Sequence, residues 1–383
     1  MKIAVVGAGI TGITTAYFLA KAGHEVVIYD KRKYPAMATS YANGGQLSAS
    51  NAETWNSWRN IGKGIKWLLK DDAPLKFNPS FSIDKYSWIY KFIRAIPEAN
   101  HNTSKTCEWA LKAHTLYKQI AKEEDIQFDM VEKGILHIYT NQKEFDNAKK
   151  VNKLYRKAGL DRWQVSAKEC LEIEPALVPP PKLLGGFFNE TDFTGDIHKF
   201  CINLFHVLQT KYKVKHIQAE LTSIRLNIPI VVCAGVHSRE LAKTVGDDLP
   251  IYPVKGYSIT IQNPDVAPWT SMLDDEAKIV TSRLGEDRLR VAGTAEFNGY
   301  NTDIIRSRIM PLINWSERMF PGINTEHITP WAGLRPMTPN MMPIIKQNKY
   351  NKNIYYNTGH GHLGWTLSAY TASLIAKQIG KDN

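Results

Sequence analysis

The chain has 383 residues, of which 43% are hydrophobic and 22% charged, a balance that excludes a disordered protein. At this length one simple core is excluded too, and two joined domains are expected. The formal charge of +11 would suit a polyanion, yet no zinc-finger spacing, RNA-recognition signature or basic heptad helix is present, so nucleic acid is not expected as a partner. An anionic lipid surface stays open, as does a basic balance with no partner behind it. Cys107, Cys170, Cys201 and Cys233 stand far apart without a CxxC pair, which predicts no metal cluster and a reducing compartment.

Residues 3–6 are apolar without alternation and predict a buried parallel strand. They run into Gly7-x-Gly9-x-x-Gly12, a helix over 13–22, Gly23, a second apolar strand over 26–29 and then Asp30. Each part suits a dinucleotide. Gly7 allows the tight turn, Gly9 the approach of a pyrophosphate, and Gly12 close packing of helix on strand. The helix N-terminus offers free N–H groups to the phosphates, and Asp30 is placed to accept from a ribose. These residues alone do not separate FAD from NAD. Asp30 argues against NADP, and Lys31 and Arg32 beside it weaken that argument.

Residues 34–52 are small and polar and predict a loop, with Asn43-Gly44-Gly45 suited to close approach to a flat ligand. Residues 55–125 read as helices, punctuated by Asp71-Asp72-Ala-Pro74 and Asn78-Pro79. Beyond Phe128 come a strand over 135–139, helices over 141–158 and 166–173, a strand from Gly185 and a helix over 197–210 capped by Asp196. A short strand over 230–233 closes on Ala234-Gly235. Strands over 252–261, 278–282 and 289–292 and a helix over 303–318 follow. Residues 331–343 read as turn-rich, 354–357 as a strand and 366–379 as a final helix. The strands at 3, 26, 230 and 354 are expected in one sheet, with 128–190 and 251–293 in another. A chain that leaves its nucleotide domain and returns twice is typical of flavin oxidoreductases. The fold class is therefore α/β, a Rossmann-like domain interleaved with a mixed-sheet, α+β substrate domain.

Gly359-His360-Gly361-His362-Leu363-Gly364-Trp365-Thr366 makes a second glycine turn between a strand and a helix N-terminus, suited to an electron-rich group. Upstream, Trp331-Ala-Gly-Leu-Arg335-Pro predicts an arginine in a rigid turn, suited to bidentate capture of a carboxylate.

Seven blocks carry a family resemblance: VVGAGITGITTAYFLAKAGHEVVIYD, TSYANGGQLSAS, VVCAGVHSRELA, YPVKGYSITI, VAGTAEFNGY, WAGLRPMTPNMMPII and NTGHGHLGWTLSAY, in that order. Together they resemble bacterial FAD-dependent D-amino-acid dehydrogenases of the small-subunit type, in the D-amino-acid oxidase superfamily, over essentially the whole chain. The resemblance implies FAD lying lengthwise. Gly7, Ala8, Gly9, Ile10, Thr11, Gly12, Asp30 and Lys31 would hold its ADP half, with Ala234 and Gly235 beside them. Ser40, Asn43, Gly45, Gln46 and Leu47 would approach the flavin ring, and Gly361, His362, Leu363, Gly364, Trp365 and Thr366 its pyrimidine edge. Arg335 would bind the substrate carboxylate, with Tyr257 and His362 lining the pocket. The implied FAD-binding domain takes 1–80, 195–250 and 325–383, and the substrate domain 81–194 and 251–324. One departure is a hairpin of the family that this chain lacks between Asn227 and Ile230. His362 is another, since related glycine oxidases carry an arginine near this place.

The expected reaction is oxidative deamination of a D-amino acid to a 2-oxo acid and ammonia, with no acid–base residue assigned and no metal. Electrons would pass to a quinone or other respiratory acceptor. The alternatives are an oxygen-using amine or imino-acid oxidase and, in another class, a flavin-dependent RNA-modifying protein. The strand follows Met1 at once and no apolar stretch reaches membrane-spanning length, so a cytoplasmic protein is expected. It could touch the inner face of the membrane through Trp55, Trp58 and Trp67 near Lys63, Lys66 and Lys70.

Overall fold

The computed structural model of the chain describes residues 1–67 and 74–381. The residues Lys70, Asp71 and Asp72 singled out above lie outside that range.

Two sheets organise the fold. The first has six strands in the order Ile344–Gln347, Ile354–Thr358, Ile230–Val232, Lys2–Val6, Glu25–Asp30 and Lys215–Gln218. All pairs are parallel except the antiparallel edge strand Ile344–Gln347. Ala4, Val5 and Val6 pair with Ile230, Val231 and Val232, so segments more than 220 residues apart in sequence are direct neighbours. Both faces of this sheet are covered, which is why its central strands are apolar throughout. The helix Ile10–Lys21 packs on one face against Gly364–Lys381 and Ile197–Thr210. Residues 219–229 form no regular element and are anchored by buried Ile224.

The second sheet runs Ile328–Met337, Tyr252–Gln262, Arg288–Phe297, Ile279–Leu284, Ser271–Asp274, Ile135–Tyr139, Gly185–Asn189 and Trp163–Val165, with Leu75–Phe77 pairing to residues 295–297. Two expectations are corrected here. Residues 331–337 are a strand rather than a turn, in ten-residue antiparallel register with Tyr252–Gln262. Pro330 and Pro336 disguised it, since proline cannot donate to a ladder, but this strand is the sheet's edge and tolerates them. Consequently Ile328–Met337 and Leu75–Phe77 belong to the second sheet, not to the nucleotide part drawn at 325–383 and 1–80.

Alternation gives this sheet two faces of different character. Tyr257, Ile259, Leu289 and Val291 face a core closed by the helix Arg306–Met319. Val254, Gly256 and Ser258, their partners Arg335, Gly333 and Trp331, and Ala292 and Val280 face the first sheet.

Candidate active site

A cavity of about 1380 Å³ runs between the two sheets, from Asp30 past Ser40 and Gly45 to Arg335 and the turn 359–366. It exceeds the roughly 300–1,000 Å³ of a pocket for one drug-sized molecule.

At the nucleotide end the three glycines have separate reasons. Gly7 adopts φ +109°, and a Cβ there would stand 2.6 Å from the Cys233 carbonyl oxygen. A Cβ at Gly12 would lie 1.8 Å from the Gly7 oxygen, so the helix packs where no side chain fits. At Gly9 a Cβ would meet only Ser40 Oγ at 3.4 Å, leaving the open approach that a pyrophosphate needs. Ile10 N donates to Ser40 Oγ at 3.1 Å. Asp30 is fixed by Ala8 N on Oδ2 and Arg32 N on Oδ1, each 2.8 Å, and a carboxylate so held keeps lone pairs for ribose hydroxyls. Thr11, Lys31, Ala234 and Gly235 line the same end, with Lys31 also paired to Glu220 at 3.2 Å.

The loop over 38–47 is laid onto the second sheet by its carbonyls. Ser258 Oγ donates to Ala42 O at 2.7 Å, Arg290 Nη1 to Asn43 O at 3.0 Å and Ser282 Oγ to Gly44 O at 2.6 Å. Gly45, at φ +73°, would bring a Cβ within 2.9 Å of Ser282 Cβ. Its smallness thus serves close approach to the sheet as well as to a ligand. Gln46 lines the cavity and donates to Ser271 Oγ at 2.8 Å, whereas the Leu47 side chain is buried in the first core and leaves only backbone to offer. Next in the chain, the turn Ala49–Asn51 sits on Asp192, which accepts from Ala49 N at 2.9 Å, Ser50 N at 3.1 Å and Ser48 Oγ at 3.2 Å. Nothing in the sequence around Asp192 signals this anchor.

At the far end, the Arg335 guanidinium lies over Gly256, where a Cβ would come within 2.3 Å of Nη2. Nη1 donates to Thr294 O at 2.9 Å, and among the described residues no carboxylate pairs with it. Burial lowers its pKa to about 10, so it remains a cation at neutral pH. Thr294 is itself buried, and its hydroxyl has no hydrogen-bond partner among the described residues. An isolated glycine within a strand signals such close approach, so Gly256 was findable in the sequence.

His362 stacks on Trp55, with centroids 4.7 Å apart and planes 20° apart. Burial, then the Arg335 charge, lowers its pKa to about 3, which keeps the ring neutral. The Asn51 backbone offsets this only in small part, and neither ring nitrogen reaches hydrogen-bonding geometry with a partner. Gly361, Gly364 and Thr366 line the cavity, and Thr366 Oγ1 accepts from Ser48 N at 3.3 Å. The side chains of Leu363 and Trp365 point into cores, Trp365 stacking on Tyr117 at 5.6 Å, so these two present backbone only.

Tyr257 lies at the wall of the cavity. It stands on the opposite face of its strand from Gly256, packed in the second core, and its hydroxyl donates to Glu296 Oε2 at 2.7 Å. Its hydroxyl is thus engaged by Glu296.

A glycine-built phosphate approach at one end of an inter-sheet cavity, with a half-buried guanidinium at the other, marks the site of a dinucleotide-dependent oxidoreductase. The comparisons with known proteins carry this further. The chain belongs to the DAO family of FAD-dependent oxidoreductases, whose family model matches residues 2–378. It is 50% identical over 404 aligned residues to D-amino acid dehydrogenase 3 of Mesorhizobium japonicum, covering 100% of this chain and 97% of that one. Identity to D-amino acid dehydrogenase of Dechloromonas aromatica is 38% over 406 residues, with 99% and 97% covered. Among solved structures, glycine oxidase from Geobacillus kaustophilus superposes with a TM-score of 0.78 at 20% identity, covering 99% and 94% of the two chains. L-proline dehydrogenase from P. horikoshii gives 0.75 at 16%, covering 100% and 94%. At such identities these two show the fold alone. FAD is the cofactor, and the cradle at Gly9, the Asp30 carboxylate and the length of the cavity fit it.

Proposed function

We propose that this protein is a D-amino-acid dehydrogenase, oxidising its substrate to the imine, which water hydrolyses to a 2-oxo acid and ammonia. The observation that carries the reading is Arg335: a half-buried guanidinium, paired with no carboxylate among the described residues and aimed into the cavity beside the turn 359–366. Leaving such a cation unpaired is costly, and a substrate carboxylate offsets that cost through paired N–H···O bonds. The names of the 50%- and 38%-identical relatives support the D-amino-acid class. FAD, when bound, supplies the acceptor for the hydride leaving the substrate Cα. Arg335 fixes the carboxylate and with it the direction of the Cα–H bond. His362, being neutral, adds no charge to oppose the deprotonated amine, and the apolar Trp55 face beside it excludes water. No side chain is assigned as a base. Anaerobic loss of the oxidised flavin's visible absorbance on adding D-amino acids, and not L-amino acids, tests the reading; no loss with any D-amino acid would overturn it.

The finer part of the reading is that electrons pass to a quinone while the protein rests on a membrane surface. Its support is the helix Trp58–Trp67, none of whose residues is buried, together with exposed Trp58, Ile65, Phe81 and Ile83. No helix among the described residues is long and apolar enough to cross a membrane. Trp55 and Lys63 drop out of the face expected above, since Trp55 stacks on His362 and Lys63 pairs with Glu144 at 2.7 Å. Co-sedimentation with anionic but not neutral vesicles, lost in Trp58→Ser with Ile65→Ser, tests it. Peroxide formed in step with turnover in air would favour an oxidase instead.

A further inference from the structure

A cluster of charged residues, two of them from the exposed helix Trp58–Trp67, stands at one side of the cavity. Arg59 Nη1 pairs with Glu144 Oε2 at 3.0 Å and Lys63 with Glu144 Oε1 at 2.7 Å, while Lys278 pairs with Asp275 at 2.8 Å. Glu53 is the exception. It has only a share of Arg59, through Nη2 at 3.3 Å, and Asn147 Nδ2 at 3.2 Å. Both bonds fall on Oε1; among the described residues, Oε2 accepts none. Burial raises the Glu53 carboxyl pKa, with Arg59 opposing this incompletely. The side chain lines the cavity and keeps 37% of its surface open to it.

Arg335 and Glu53 are thus an unpaired cation and an under-paired anion in one chamber. Between them the sheet offers a floor of small residues: Gly256 and Ser258, then Ala292, then Val280, with Ala292 paired to both Ser258 and Val280. The Arg335 guanidinium reaches the strand of Ala292 through Thr294, and Asp275 and Lys278, whose charges Glu53 senses, lie in the turn joining the next two strands; Glu53 itself stands two residues before Trp55, which stacks on His362, a ring that feels the Arg335 charge. A chamber lined by both suits an amino acid with a charge at each end.

We propose that Glu53 determines specificity by receiving the cationic end of the substrate side chain, as in D-lysine or D-arginine, while Arg335 holds the α-carboxylate. This rests on the D-amino-acid reading above. The pair to compare is D-lysine with D-norleucine, of nearly the same length but without the terminal charge. The holoenzyme is expected to favour D-lysine in kcat/KM by about tenfold or more, the worth of one charge-assisted contact. Glu53→Gln is expected to reduce that ratio about tenfold, while its Tm and bound-flavin spectrum report that it is folded and loaded. A wild-type enzyme that does not favour D-lysine, or a ratio unmoved by Glu53→Gln, overturns the proposal. The wild-type comparison decides even if the variant does not fold. Flavin bleached by D-norleucine as readily as by D-lysine sinks this inference alone, whereas no bleaching by any D-amino acid sinks the reading beneath it.

Discussion

Arg335 and Gly256 occupy one volume by turns: the guanidinium lies where a side chain on Gly256 would begin, with Nη2 2.3 Å from the missing Cβ. The cation is seated by an absence on the neighbouring strand, and a backbone acceptor, Thr294 O, fixes its roll at 2.9 Å. Gly256→Ala should therefore act like damage to the arginine itself. The prediction is a fall in kcat/KM of about 10- to 100-fold, most of it in KM, since displacing the fork costs the paired contact. An unchanged KM would mean that the guanidinium does not meet substrate from this seat.

Truncation of Arg335 is the direct counterpart. Arg335→Ala should raise KM for D-alanine by about 100-fold, by loss of a charge-assisted pair worth about 2–3 kcal/mol. Arg335→Lys should recover only part, because an ammonium carries the charge without the planar fork. Full recovery by lysine would show that charge alone, and not orientation, is what the site uses.

Tyr257 leads to the opposite expectation. Its hydroxyl serves Glu296 at 2.7 Å, Glu296 also meets buried Lys255 at 3.3 Å, and the ring sits in the core beneath the sheet. Tyr257→Phe should lower unfolding stability by about 1–3 kcal/mol, the cost of leaving a buried acceptor short, without moving KM for D-alanine. A KM rise with intact stability would return Tyr257 to the pocket.

What could be read from the chain follows from how local each signal is. The first strand, its glycine turn and Asp30 form one continuous stretch, so spacing alone conveys their joint purpose. The pairing of strands at 4, 230 and 354 was legible from apolar runs flanked by glycine. Arg335 was read in a turn but stands in a strand, because Pro330 and Pro336 read as turn residues and edge position cannot be seen in sequence. Tyr257 lies at the cavity wall beside Gly256, but its ring packs in the core beneath the sheet, a placement that alternation alone does not reveal. Glu53 and Asp192 were invisible because their roles depend on partners about 90 to 220 residues away, such as Asn147 and Lys278 for Glu53 and Ser50 for Asp192.

Asp192 also sets a pH dependence. Burial, only partly offset by its hydrogen bonds to Ser50, Ala49 and Ser48, raises its carboxyl pKa to about 6. An unfolded chain releases the same proton near about 3.9. The folded state therefore holds a proton that the unfolded state has lost between those values, and stability falls as pH rises from about 4 to about 6. This one group is worth about 3 kcal/mol across the window, at 1.36 kcal/mol per unit. Above pH 6 its contribution is flat. Asp192→Asn cannot ionise, so the stability difference, wild type minus variant, should drop by that amount between pH 4 and pH 7. Urea unfolding of both proteins at saturating FAD measures it, and a difference that stays level or grows with pH would show that the carboxylate, not the acid, is the form that holds the turn Ala49–Asn51.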